Sequence, residues 1–178
     1  MKALIVIDVQ NEFSEKGKRA VPSFNDAIAA IKKRVMEARQ QNIPIAWVRH
    51  FNKPHESKAF VPGSWGSDFV EDFGPLPQSG IEREFHKDVY GAFTGTDIGQ
   101  WLNTLDIRSI LITGFYTHGC VSTTSREAIM RGLDVYIDPD ATGACDMTHD
   151  ILGSLSASEV KQSALLHLVN MGAHIERL

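Results

Sequence analysis

Short apolar runs alternate with amphipathic segments along most of this chain, and that alternation is the feature that most limits its fold. Residues 3–7 form a continuous apolar run, as expected of a strand covered on both faces. Residues 23–39 then carry apolar side chains at helical spacing. Alternating strands and helices predict βαβ units, and hence a parallel sheet with helices on both sides.

The same pattern continues to the end of the chain and predicts six strands and four helices. The strands are expected at residues 3–7, 43–48, 81–85, 109–113, 135–137 and 173–175, with Pro139 ending the fifth. The helices are expected at residues 23–39, 97–105, 120–131 and 158–171, with Ser158 capping the last. Residues 50–80 hold four prolines and four glycines without periodicity and predict a long active-site loop.

These elements fit one three-layer α/β/α domain over residues 1–178, with a Rossmann-like, mostly parallel sheet of about six strands.

Net charge and hydropathy argue against a nucleic-acid-binding or membrane-spanning protein. A net charge of -4 and an isoelectric point near 5.9 give no electrostatic footprint for nucleic acid. No apolar run approaches the ~20 residues that span a bilayer, so no membrane partner is expected. Residues 1–8 do not resemble a secretion signal, which predicts a cytoplasmic protein with free thiols.

The segment with the clearest chemistry runs from residue 108 to residue 124 and contains Cys120. A predicted strand, turn and helix put this thiol on the first turn of a helix, at the carboxyl end of a strand. Unpaired N–H groups and the helix dipole favour an anion there, so Cys120 is expected to tend toward the nucleophilic thiolate. Cys145 follows a strand without such a setting and is predicted to be structural.

Two more reactive side chains are predicted at the same edge of the sheet. Asp8 follows the first strand, and Lys87 falls just past the third. In open α/β sheets, sites lie beyond the carboxyl ends of the strands, where the strand order reverses. We therefore predict that Cys120 attacks as a thiolate, that Lys87 stabilises it, and that Asp8 carries a proton.

Three blocks of sequence carry a resemblance to a known family: residues 3–13 (ALIVIDVQNEF), 85–96 (FHKDVYGAFTGT) and 114–124 (GFYTHGCVSTT). In order and spacing, over roughly residues 1–145, they resemble the isochorismatase-like cysteine hydrolases, in particular the metal-free, amidohydrolase-type members. The resemblance implies a catalytic triad of Asp8, Lys87 and Cys120. It also implies a cis peptide bond between Phe115 and Tyr116, an oxyanion hole made by the N–H groups of Tyr116 and Cys120, and a homodimer or homotetramer.

The substrate implied by the resemblance is a small carboxamide or ureido compound, hydrolysed through a thioester with release of ammonia or amine. The branch of the family that cleaves a vinyl ether lacks the cysteine, so the presence of Cys120 favours amide hydrolysis. No cofactor is expected. The candidate substrate contacts are Gln10, Phe13, His50, Trp65, Tyr116 and His118.

Nicotinamidases of this family carry an Asp-x-His…His metal site just after the second strand. Here residues 49–55 read RHFNKPH, and no aspartate stands two residues before His50 or His55. A complete zinc site needs at least three protein ligands, so no metal is expected. Three alternatives stay open: an isochorismatase-type ether hydrolase that retains cysteine, a nicotinamidase, and a non-catalytic thiol protein. The partners of His50 and His55, whether substrate, metal or a neighbouring subunit, also stay open.

Overall fold

The computed structural model describes residues 1–53 and 55–177 and contains a central six-stranded sheet. The strands are β1 (Lys2–Ile7), β2 (Ile45–His50), β3 (Glu82–Lys87), β4 (Ser109–Phe115), β5 (Asp134–Gly143), β6 (Met147–His149), β7 (Gly153–Leu155) and β8 (His174–Ile175). The large sheet has the order β3-β2-β1-β4-β5-β8, and its neighbouring strands run parallel. The predicted fold class is confirmed.

Helices cover both faces of this sheet and make three layers. The helices are α1 (Phe24–Gln40), α2 (Ile98–Thr104), α3 (Ser122–Met130) and α4 (Ala157–Asn170). Alternate residues of β1 serve the two faces: Ile5 packs in the core beneath α2, α3 and α4, and Val6 in the core beneath α1. Among the described residues, every helix is too short or too polar to span a lipid bilayer.

The order of the strands reverses between β1 and β4, and the two strands approach closely there. Gly114 on β4 pairs with Ile7 on β1 and has a φ of 115°. A Cβ at Gly114 would lie 1.9 Å from the carbonyl oxygen of Ile7, so only glycine fits. This contact fixes the loop after β4 beside the end of β1, which is where a site is expected in such a sheet.

The fifth strand does not end at Pro139, contrary to the prediction, because β5 continues to Gly143. Its ladder with β4 shifts: Ile112 pairs with Ile137, whereas Gly114 pairs with Thr142. Residues 138–141 therefore bulge out of the ladder. A proline in such a bulge removes no ladder hydrogen bond, which is why the strand tolerates it.

The N-cap of the last helix is Ser156 and not the predicted Ser158. The Ser156 side chain accepts a hydrogen bond from the N–H of Glu159, and the Glu159 carboxylate accepts one from the N–H of Ser156. This reciprocal pair is a capping box. Ser158 is the second residue of the helix and has no capping role.

Other differences from the prediction are local. Strands β6 and β7 form an exposed antiparallel hairpin that the sequence pattern did not indicate. The described residues of the segment 51–80 are irregular apart from a short 3-10 turn, Trp65–Ser67, and an isolated bridge between Phe69 and Gln10. Lys87 is the last residue of β3 and does not lie beyond it. Cys120 lies in the helical turn Thr117–Val121, which leads directly into α3.

Candidate active site

The ends of four neighbouring strands deliver the reactive side chains to one place. Asp8 directly follows β1, and Cys120 lies in the turn after β4. Lys87 and His50 are the last residues of β3 and β2, and they are partners in the parallel ladder. The sheet register therefore places these two side chains next to each other and beside the switch point.

The Lys87 ammonium is the centre of the cluster. Its Nζ lies 2.7 Å from Oδ2 of Asp8, 3.2 Å from Sγ of Cys120 and 3.1 Å from Nδ1 of His50. All four side chains belong to buried residues. An ammonium has three N–H donors, and the three contacts use all of them. The structure thus brings together the three predicted triad residues and adds His50 to them.

Asp8 keeps one carboxylate oxygen free. Its Oδ1 is buried and has no hydrogen-bond partner within the described chain. Its backbone has a φ of 51°, a left-handed conformation that aspartate adopts more readily than most residues. A carboxylate oxygen of Asp8 and the sulfur of Cys120 lie within 4.8 Å of each other. A buried acceptor without a donor, next to a thiol, can take up the thiol proton.

Burial raises the pKa of the Cys120 thiol, and the negative charge of Asp8 raises it further, while Lys87 opposes both. This differs from the predicted thiolate, because desolvation and a neighbouring carboxylate both disfavour the charged form of the thiol. Burial lowers the pKa of Lys87, but the charges of Asp8 and Cys120 outweigh it and leave that pKa raised. These directions favour an ammonium on Lys87 and a protonated thiol on Cys120, so the thiol needs a base.

A cavity of about 500 Å³ opens onto Cys120 and Asp8. This is within the size range of small-molecule sites. It is lined by buried residues, by aromatic rings and by exposed polar residues: Asp8, Phe13, Arg19, His50, Asn52, Glu56, Ser57, Phe60, Tyr90, Tyr116, His118, Gly119, Cys120, Cys145 and Met147. Four of the predicted substrate contacts are among them: Phe13, His50, Tyr116 and His118.

The other two predicted contacts lie elsewhere. The amide of Gln10 is buried, donates to the carbonyl oxygens of His50 and Ser67, and accepts the N–H of His50. Gln10 thus holds backbone and does not face the cavity formed by the described residues. Trp65 is 52% exposed in its own turn and is also outside that lining. The position of Gln10 close to Asp8 suggested a substrate contact, but the sequence does not show which way the Gln10 amide points.

Tyr116, His118 and Cys145 form another part of the cavity lining. The Phe115–Tyr116 peptide bond is cis, as the family resemblance implied. The Tyr116 hydroxyl donates to the carbonyl oxygen of Arg19 at 2.7 Å, and the Tyr116 ring stacks on His118. Burial and the nearby Cys145 raise the pKa of Tyr116, and burial lowers the pKa of His118.

Among the residues of the site that were not predicted, Cys145 and Asn52 have polar groups close to the predicted ones. Cys145 was expected to be structural, but it is only half-buried and lines the cavity. Asn52 accepts a hydrogen bond from Nε2 of His50 at 2.8 Å. The spacing of Asn52 two residues after His50 was visible in the sequence, but only the structure shows that both side chains face the same cluster.

The residues present do not fit a metal ion at this position. Donor atoms of Asp8, His50 and Cys120 lie within 4.8 Å of one another, which is close enough for shared coordination. The Lys87 ammonium, however, lies between them and already contacts all three. A divalent cation would have to displace this ammonium, which the side chains of Asp8 and Cys120 hold in place.

Comparisons with known proteins identify relatives of this chain and of its fold. The isochorismatase domain model matches residues 2–175. The isochorismatase family protein YrdC of Bacillus subtilis is 33% identical over 82% of this chain and 75% of its own. The nicotinamidase/pyrazinamidase of Mycobacterium tuberculosis is 30% identical over 90% of this chain and 97% of its own. The crystal structure of an isochorismatase from Pseudomonas putida superimposes with a TM-score of 0.90 at 26% identity, over 99% of this chain and 87% of the other.

Proposed function

The chain belongs to the isochorismatase family, and from that premise we propose that it hydrolyses the C–N bond of a small carboxamide or ureido substrate through a thioester on Cys120. The observation that carries the proposal is the contact of one buried ammonium with both Asp8 and Cys120, at 2.7 Å and 3.2 Å. A purely structural thiol has no need of a buried charge pair, because cysteine packs well among apolar side chains.

The first step is activation of the thiol. Asp8 takes the proton of Cys120, and Lys87 stabilises the thiolate as it forms. The raised pKa of Cys120 means that little thiolate exists before substrate arrives, so a base close to the sulfur is required, and a carboxylate oxygen of Asp8 lies within 4.8 Å of it. The free Oδ1 of Asp8 supplies that base.

The second step is acyl transfer. The sulfur attacks the carbonyl carbon, and the resulting oxyanion is received by the N–H groups of Tyr116 and Cys120. Asp8 returns its proton to the leaving nitrogen as the C–N bond breaks, which releases ammonia or amine and leaves a thioester. Asp8 then removes a proton from water, and the hydroxide adds to the thioester carbon. The C–S bond breaks to free the acid, and Asp8 returns the proton to the sulfur of Cys120. Loss of one oxyanion donor in such sites slows the reaction on the order of 100–1000-fold.

Size and lining also support a small substrate. The cavity of about 500 Å³ combines the rings of Phe13, Phe60 and Tyr116 with polar groups at its exposed side. The relative from Mycobacterium tuberculosis is named for nicotinamide and pyrazinamide, both heteroaromatic carboxamides. Nicotinamide therefore belongs in the substrate panel, although this site lacks the metal arrangement expected of a nicotinamidase.

The experiment is to measure ammonia released from a panel of small carboxamides, ureido acids and nicotinamide, with wild-type protein and Cys120→Ala in parallel. We expect release by the wild type and a loss on the order of 10⁴–10⁶-fold in the variant, since the nucleophile is removed. A cysteine in the same cavity gives the matched control: Cys145→Ala changes the lining but leaves the nucleophile, so ammonia release is expected to continue, with any change mainly in KM.

Two outcomes would contradict the proposal. If Cys120→Ala kept most of the ammonia release, the thioester mechanism would be wrong. If the wild type released no ammonia from any amide but cleaved isochorismate, the ether-hydrolase alternative would replace it. If the protein neither hydrolysed an amide nor cleaved isochorismate, but its Cys120 thiol was reactive, the alternative of a non-catalytic thiol protein would be favoured.

A further inference from the structure

We propose that His50 is a positioning residue that fixes the Lys87 ammonium between Asp8 and Cys120, and that it binds neither substrate nor metal. The inference deepens the proposed function and rests on it. It follows from a chain of hydrogen bonds that begins outside the cavity and ends at the ammonium.

The chain starts at the carbonyl oxygen of Ala59, which can only accept. Nδ2 of Asn52 donates to this oxygen at 2.9 Å, and that contact fixes the orientation of the Asn52 amide. Oδ1 of Asn52 therefore points to Nε2 of His50, 2.8 Å away, and must accept from it. The His50 proton is thus placed on Nε2.

With the proton on Nε2, Nδ1 of His50 carries a lone pair. That atom lies 3.1 Å from Nζ of Lys87, which can only donate. The neutral ring accepts the third N–H of the ammonium, because Asp8 and Cys120 accept the other two. A doubly protonated ring would face the ammonium with a second positive charge and would repel it.

The backbone of His50 is held as firmly as its ring. Gln10 accepts the His50 N–H at 2.8 Å and donates to the His50 carbonyl oxygen at 3.0 Å. The ring of Phe60 packs edge-on against the imidazole, with centroids 5.4 Å apart. Gln10, predicted from the sequence as a substrate contact, thus acts through His50.

All three donors of Lys87 are therefore committed within the cluster. The ammonium keeps its direction while the charge of Asp8 is neutralised and restored during the proposed proton transfers. Without His50, one donor of a buried ammonium would have no partner in the cluster, and Nζ would be free to turn away from the sulfur.

The test compares His50→Leu with His50→Asn, in which the amide oxygen offers an acceptor near the position of Nδ1. For His50→Leu we expect kcat to fall roughly 10–100-fold with little change in KM, the range for one hydrogen bond to a charged group. His50→Asn should recover most of that loss. The matched control is His86→Leu: His86 precedes Lys87 on β3 but is exposed and hydrogen-bonds to Glu84.

A second readout does not depend on any substrate. Iodoacetamide alkylates a cysteine through its thiolate, and peptide mass spectrometry distinguishes Cys120 from Cys145. Alkylation of Cys120 should be slower in His50→Leu and close to wild type in His50→Asn and His86→Leu. Because this measurement needs no turnover, it still tests the role of His50 if the proposed amide hydrolysis fails.

Specific outcomes would overturn the proposal. A raised KM with unchanged kcat and unchanged alkylation in His50→Leu would make His50 a substrate contact. His50→Asn as impaired as His50→Leu would show that an acceptor is not what the site needs. If His50→Leu fails to fold, Asn52→Leu serves as the second variant, because it removes the amide that orients the His50 ring. An unchanged kcat in Asn52→Leu would equally contradict the proposal. Nitrogen NMR of labelled histidine must also find the His50 proton on Nε2.

Discussion

Two buried ion pairs in this molecule have similar geometry, and the proposed mechanism gives a chemical role to only one of them. Lys87 and Asp8 are 2.7 Å apart at the end of the sheet, and Arg34 and Asp138 are 2.7 Å apart between α1 and β5. The side chains of the first pair are 0% exposed, and those of the second are 4% and 2% exposed. Distance and burial alone do not tell them apart.

The difference lies in how completely each pair is satisfied. Both oxygens of Asp138 are bonded, Oδ2 to Arg34 and Oδ1 to the N–H of Asp140, and the rest of the Arg34 guanidinium donates to Glu37 and Glu176. Asp8 leaves Oδ1 without a partner in the described structure, beside a thiol and a cavity. Native proteins pair nearly all their buried polar atoms, so this exception next to a thiol supports the chemical role that we propose for Asp8.

Neutralising each aspartate in turn should give the largest difference between the two pairs. Asp8→Asn should lower kcat roughly 10²–10⁴-fold, because the amide cannot carry the proton between sulfur, leaving nitrogen and water. Asp138→Asn should leave kcat close to wild type. Steady-state ammonia release by both variants makes the comparison, and equal losses in the two would break the distinction drawn between the pairs.

The same aspartate variant has a second consequence with the opposite sign. The charge of Asp8 helps raise the pKa of Cys120, and that of Lys87 opposes it. Asp8→Asn should therefore lower this pKa and speed alkylation of Cys120 by iodoacetamide at neutral pH, even as turnover is lost. Slower alkylation would show that Asp8 favours the thiolate, and the assignment of charges in the site would need revision.

The sequence predicted the sheet well because its signals are strong and local. Buried parallel strands are continuous apolar runs, and α1 shows a clear apolar stripe. The errors occur where tertiary contacts decide. Pro139 ends no strand because the ladder bulges around it. The hairpin of β6 and β7 buries little and so leaves no apolar pattern. The spacing of Ser156 and Glu159 did contain the correct N-cap signal.

The candidate site was predictable in its residues and not in its contacts. Asp8, Lys87 and Cys120 follow from the rule that sites lie beyond the carboxyl ends of parallel strands, together with the family resemblance. The roles of His50 and Asn52 depend on which ring nitrogen and which amide atom face each neighbour. That is set by the register of β2 with β3 and by the Ala59 carbonyl, neither of which the sequence specifies.

The Arg34 pair makes its own prediction, on stability. Arg34→Met leaves Asp138 buried without a counter-charge and should lower the free energy of unfolding by about 3–5 kcal/mol. Urea unfolding followed by tryptophan fluorescence measures it. Adding Asp138→Leu to the same protein should recover much of the loss, since a buried ion pair can often be replaced by apolar residues. Activity per folded molecule should stay near wild type in both variants, and a matching fall in kcat would contradict a purely structural role.

The smallest effect is expected at the edge of this structural network, at Glu176. Its carboxylate pairs with Lys2 at 2.7 Å and lies 3.4 Å from Arg34. The side chains of Lys2 and Glu176 are 30% and 33% exposed, so water screens the attraction between them. Its backbone carbonyl accepts a second bond from Arg34, which a side-chain substitution leaves in place. Glu176→Gln should therefore cost about 0.5–1 kcal/mol by the same urea assay, and less at high salt. A loss as large as that of Arg34→Met would mean that Glu176, and not Asp138, holds the arginine in place. The buried pair of Arg34 and Asp138 would then be stable only while Glu176 remains charged.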